Sequence, residues 1–418
     1  MAITYLLNAG TPMLEDLSLM NCRGITSMGV ALIGGLKELR RLSLESCLKV
    51  TGLQHIMCLS NLRELNLGCC HAVTDRDAEC ISILVNLEKL VVKNTKIGDT
   101  GILALRSLTR LTLLSVSGLS VNDSALATAV FTMKCLREFD ASRCFSVGPR
   151  VLLSLANMHA GSKNYSLEKL NLTYTAVNDQ ALDHAMPSFV ALKSLHLESC
   201  NVSSAGMASL GQLLQLEELN LADTRICNIA LKDLEYLRRL EKLDISFTMA
   251  DDYGLYYVAK VQSLKHLNLE SGTFTDTGIS HIARIEGLET LDLFGSRITD
   301  KSCAIIARMK ALKSLDVSTG EISSYGVNAL TRLKELVQLS LAHNHRISDA
   351  SIPSLLSMKQ LRSLNLSQCR MSNAALSSLG ALRNLKILCV ADIPIKADTL
   401  KKILTTNPEI EIKGLKKL

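Results

Sequence analysis

A leucine register returns along nearly the whole chain. The first residue of an LxxLxL-type pattern falls at Leu14, Leu39, Leu62, Leu87, Leu111, Leu136, Leu167, Leu192, Leu216, Leu240, Leu264, Leu288, Leu312, Leu336, Leu361 and Leu385. These sixteen registers are separated by steps of 23 to 25 residues, with one step of 31. Leu288 to Ala311 shows what one unit contains. Leu288, Leu291 and Leu293 mark a short strand, because successive residues of an extended chain point to opposite faces. Thr299 and Asp300 supply oxygens to start a short helix in which Cys303, Ile306 and Met309 recur at helical spacing. A single strand and helix with one apolar seam cannot bury that seam alone. Stacked copies can.

Self-similarity at this period predicts an α/β fold, a leucine-rich repeat solenoid of about 16 repeats. A parallel sheet would line the concave face and short helices the convex face. The residue content fits stacked aliphatic ladders: 47% is hydrophobic, only 4% is aromatic, and there is no Trp. Residues 14–406 read as one solenoid despite the length of 418. Residues 1–13 read as a partial repeat or improvised cap, or as what is left where an N-terminal segment was lost, and residues 407–418 as a C-terminal cap. The 31-residue step carries a polar insertion near residues 155–166, centred on HAGSKNYS.

Cys22, Cys47, Cys70, Cys144, Cys200 and Cys369 occupy one repeat position, eight residues after the first leucine. Thr95, Thr175, Thr224, Thr248, Ser296 and Asn344 fill it elsewhere. A slot that takes Cys, Thr, Ser or Asn calls for a small side chain bonding a neighbouring turn's backbone. It does not call for a crosslink, so the thirteen cysteines read as reduced thiols in a cytoplasmic or nuclear protein. The early units MNCRGITSMGV, ESCLKVTGLQ and GCCHAVTDRDA share a C-x-x-(I/V)-T turn. This turn resembles the cysteine-containing subclass of leucine-rich repeats, best known from F-box/leucine-rich-repeat proteins. The resemblance implies the fold along the chain and, as one function, substrate reception for an SCF-type ubiquitin ligase, although no F-box is recognisable. Asp99, Asp123, Asp179, Asp276, Asp300 and Asp349 read as caps of the short helices, placed at the positive end of the helix dipole.

The third, fifth and seventh residues of each unit should face outward from the strands. Over the sixteen repeats these columns hold eleven acids and five bases, on a chain whose net charge is +6. The excess concentrates between Leu192 and Ser318. There Asp244, Asn268, Glu270, Asp292 and Asp316 lie with His266, Phe294 and, at a strand end, Phe247. Aromatic groups ringed by acids suit a protein partner with a basic contact surface, and these eight residues are the candidate partner-binding site. Because they carry no core packing, reversing the charge of Asp244, Asp292 and Asp316 is expected to leave the fold intact. No catalytic constellation is present. The three aspartates show nothing that would separate their pKa values, as an acid/base pair requires, and the nine histidines lack metal-ligand spacing. No phosphate-cradling motif, basic tail, signal peptide or apolar run of membrane-spanning length appears. The expected function is therefore a non-enzymatic recognition scaffold needing no cofactor or metal, with no nucleic-acid or membrane partner. A ligase substrate receptor and a GTPase regulator are narrower alternatives.

Overall fold

A computed structural model describes residues 13–158 and 166–415. The chain divides into two units, Met1–Leu216 and Glu217–Leu418. In the first, eight three-residue strands from Asp16–Ser18 to Ser194–His196 pair in sequence order, all parallel. In the second, nine strands from Glu218–Asn220 to Glu411–Lys413 do the same. The register stacks leucine on leucine, as in Leu267, Leu291 and Leu315. These central residues are at most 2% exposed, and the residues flanking them on each strand face outward as expected. The core lies between the strands and short helices such as Asp300–Ile306, which contributes Cys303 and Ile306. Some coils tighten the helix into 3₁₀ geometry, at Leu53–Ile56 and Asn228–Tyr236.

The turn after each strand has one fixed requirement. The seventh residue past the first leucine has positive φ in all sixteen coils, and only Gly118 and Gly295 among them are glycines. Left-handed backbone is costly for other residues, so the regular ladder must hold them there. In the next position the thiols of Cys47, Cys70, Cys144, Cys200 and Cys369 each donate to a carbonyl of the preceding coil, at 3.0–3.2 Å. Threonines in the same slot instead bond their own coil, as Thr95 does to Val92 O at 2.9 Å. All thirteen cysteines are free thiols.

The helix-start aspartates differ from the expectation. Asp99, Asp123, Asp179, Asp276 and Asp300 are the first helical residues, Asp349 opens a 3₁₀ turn, and the residue before each is the N-cap. Their carboxylates reach forward and accept the N-cap amide of the following coil, at 2.7–2.9 Å. They therefore join successive coils instead of capping their own helix. The close approach explains a glycine: a Cβ on Gly326 would collide with the Asp300 carboxylate. Of the 155–166 stretch, Leu155, Ala156 and Asn157 end the helix Pro149–Asn157, while 159–165 lie outside the described residues, as do most of residues 1–13.

Candidate functional site

All eight candidate residues belong to the second unit and present to its strand face or the turn beside it. Asp244, Asn268, Asp292 and Asp316 form one row across adjacent strands in direct register. Glu270 and Phe294 follow two residues beyond the row, both half-buried. His266 Nδ1 lies 3.0 Å from Thr290 Oγ1 on the next strand. Phe247 is a left-handed turn residue at φ 55 and is 51% exposed. Met249, which the column reading missed, stands beside it at 69%.

The aspartate row has a structural task that the sequence reading overlooked. Asp244, Asp292 and Asp316 each accept, through Oδ1, the amide of the residue two positions on: Ser246 at 2.9 Å, Phe294 at 2.9 Å and Ser318 at 2.8 Å. Asn66, Asn171, Asn220, Asn268 and Asn365 do the same in their coils, at 2.9–3.1 Å. The interchange of Asp and Asn in one column was the signal: both offer the turn a side-chain oxygen, with or without charge, although Val91 and Cys389 fill the column without one. Reversing these three to lysine would thus take the side-chain acceptor from three backbone amides, a cost the column reading did not count. Asparagine preserves the acceptor.

Charge pairing then sorts the face. Each of its five bases is matched to an acid on the same face: Arg41 to Asp16, Lys89 to Glu64 at 3.0 Å, Lys93 to Glu45 at 2.8 Å, Lys169 to Glu138 at 3.0 Å and Lys242 to Glu218 at 3.7 Å. Among the described residues no lysine or arginine stands within ion-pair distance of Asp244, Glu270, Asp292 or Asp316. Asp244 Oδ2 accepts from Asn268 Nδ2 at 2.9 Å.

Asp292 departs from the expectation that nothing in the row would shift a pKa. Burial, together with the Asp316, Glu270 and Asp244 carboxylates, outweighs the Phe294 hydrogen bond and pushes the Asp292 carboxyl up to about 6. A raised folded pKa contributes stability that is complete below about pH 4 and lost as the pH rises through about 6. Asp292→Asn keeps the acceptor and removes the charge. It should stabilise the protein at pH 7 by about 1–2 kcal/mol, below the full value of about 1.4 kcal/mol per unit because the group is partly solvated. Urea titrations at pH 4 and pH 7 check this: the gain should be absent at pH 4, and a variant less stable than the parent at pH 7 would refute the assignment.

The leucine-rich repeat family model matches residues 58–82, 192–211 and 262–283. No curated protein sequence matches the chain. Among solved structures, a leucine-rich repeat protein of Leptospira interrogans is 21% identical with a TM-score of 0.56, over 98% of each chain. A TDR receptor is 17% identical with a TM-score of 0.51, over 92% of this chain and 70% of its own. The functional domain of InlJ from Listeria monocytogenes, described as including a cysteine ladder, is 16% identical with a TM-score of 0.50, over 90% and 73%. At these identities the likeness is one of fold. No helix among the described residues is long and apolar enough to cross a membrane.

Proposed function

We propose that this chain, a leucine-rich repeat protein by its register and its matches, is a non-enzymatic recognition scaffold that holds a basic protein surface against the strand face of its second unit. The observation that supports this reading is the separation of charge. Elsewhere on the face the bases are matched to acids, whereas Asp244, Glu270, Asp292 and Asp316 stand without a cation. Asp292 is held ionised at neutral pH at a cost in stability, and a partner's lysine or arginine would relieve that cost. Phe247 and Met249 beside the row offer apolar contact of the kind that anchors interfaces. A reducing compartment, cytoplasmic or nuclear, suits the free thiols.

The test is retention of partners from a cell extract by the parent chain and by the Asp244→Asn, Asp292→Asn, Asp316→Asn variant, which keeps the three amide acceptors. The variant should lose at least about tenfold in affinity for whatever basic protein the parent retains, and the parent's own binding should weaken with added salt. Equal retention by both proteins would end the proposal. A ligase core component or a GTPase among the retained proteins would favour the corresponding narrower reading.

A further inference from the structure

The first unit carries a different surface, independent of the acidic row. On its strand face lies a cavity of about 530 Å³ whose lining includes Asp16, Arg41, Glu64 and Lys89, with Val91 and Leu113 at one end. The four charged residues occupy one column in direct register on four consecutive strands, followed by Leu113 on the fifth. The row thus reads acid, base, acid, base, apolar. Arg41 pairs with Asp16 and Lys89 with Glu64, yet these side chains remain between about a third and three-fifths exposed, so each can meet a second counter-charge. Beyond Leu113 the column continues with Glu138 and Lys169, a third exposed pair that does not line the basin. Lys93 crosses Gly68, where a Cβ would come within 2.8 Å of its Cε, to reach Glu45 two coils back.

We propose that this basin docks one α-helix of a partner protein, presenting base, acid, base, acid on successive turns and an apolar residue on the next. The spacing decides for a helix. Strands about 4.8 Å apart make the four-charge row about 14 Å long. Residues i, i+3, i+7 and i+10 on one helix face span about 15 Å at the ordinary helical rise. Alternate residues of an extended chain with four same-side positions span about 20 Å, so a strand misses the row by about 6 Å. Alternation sets register more than raw affinity: a slip of one turn places like charges opposite one another, which is a penalty built against wrong alignments. The apolar pair Val91 and Leu113 at one end fixes which way the helix lies.

Fluorescence anisotropy on the full chain tests this with three synthetic peptides of about 16 residues, long enough for four helical turns. The first is a stapled helix in the alternating order ending in leucine. The second is a stapled helix with its two bases and two acids in blocks. The third repeats the alternating order with prolines that forbid a helix. The alternating helix should bind at least about tenfold tighter than either of the others. Exchanging one pair, Glu64→Lys with Lys89→Glu, keeps the total charge and the internal ion pair but makes the row acid, base, base, acid. It should weaken the alternating helix about tenfold and strengthen a helix ordered base, acid, acid, base. The inference is overturned if the three peptides bind alike, if the proline-bearing peptide binds as well as the helix, if the alternating helix does not bind, or if the exchange leaves the preference unchanged. It is also overturned if binding appears only after residues 1–12 are removed, which would give the basin to the chain's own leading segment. Should the exchanged protein fail to fold, the peptide comparison on the unaltered chain still decides.

Discussion

Leu291→Ala should lower the unfolding free energy of the second unit by about 2–5 kcal/mol, the ordinary range for truncating a buried leucine. Leu291 is 1% exposed and stands in register between Leu267 and Leu315, each pinned by its own strand ladder. Neither neighbour can move into the void without breaking backbone hydrogen bonds, which places the expectation toward the upper part of the range. In a repeat array each coil is stabilised by contact with its neighbours, so the loss should spread along the chain and not remain in one coil. Native-state hydrogen exchange reads both quantities. Amides of His266–Asn268 and Ser314–Asp316 should lose protection together with those of Thr290–Asp292. A change below about 1 kcal/mol would contradict the assignment of this leucine ladder as the core.

The strands and their buried faces were legible because the signal is local and repeated: each LxL stretch states its own inward side, and sixteen copies remove the ambiguity of any one. The helix-start aspartates were legible as to position but not as to partner. A carboxylate beside Thr299 looks like a cap in a single sequence, since the cap's own amides are its nearest neighbours along the chain. The donors it actually meets lie 23 residues ahead, in a coil that stacking brings beside it. The Asp and Asn column failed for a related reason. Facing outward was taken to mean serving only solvent or a partner, while Oδ1 turns back to the chain's own amide two residues on.

The charge on the strand face shows the same division. Counting columns gave an excess of acids, but only the register of neighbouring strands reveals that the bases are matched to acids and that Asp244, Glu270, Asp292 and Asp316 have no such match. The Asp292 shift required depth as well as neighbours. Asp292 is partly covered and has the carboxylates of Asp316, Glu270 and Asp244 near it, none of which a single repeat displays.

Asp276→Ala should cost about 2–4 kcal/mol at pH 7, because one carboxylate there satisfies four donors of the next coil. Oδ1 accepts the amides of Thr299 at 2.9 Å and Ser302 at 3.2 Å together with the Ser302 hydroxyl, and Oδ2 accepts the Thr299 hydroxyl at 2.7 Å. Alanine leaves these donors facing a gap, and Ser302 is fully buried. The pH dependence has a definite sign. Burial alone would raise the Asp276 carboxyl, but the hydrogen bonds from Ser302 and Thr299 outweigh it and hold the carboxyl below the ordinary carboxylate range. A depressed folded pKa gives stability that is present above the unfolded value near 4 and lost as the pH falls through the folded value. The difference between parent and variant should therefore be constant from pH 7 to about pH 5 and narrow below pH 4, as the parent loses its charged acceptor. Urea unfolding across that interval measures it. A difference that widens in acid would mean that the carboxylate is not what joins these two coils.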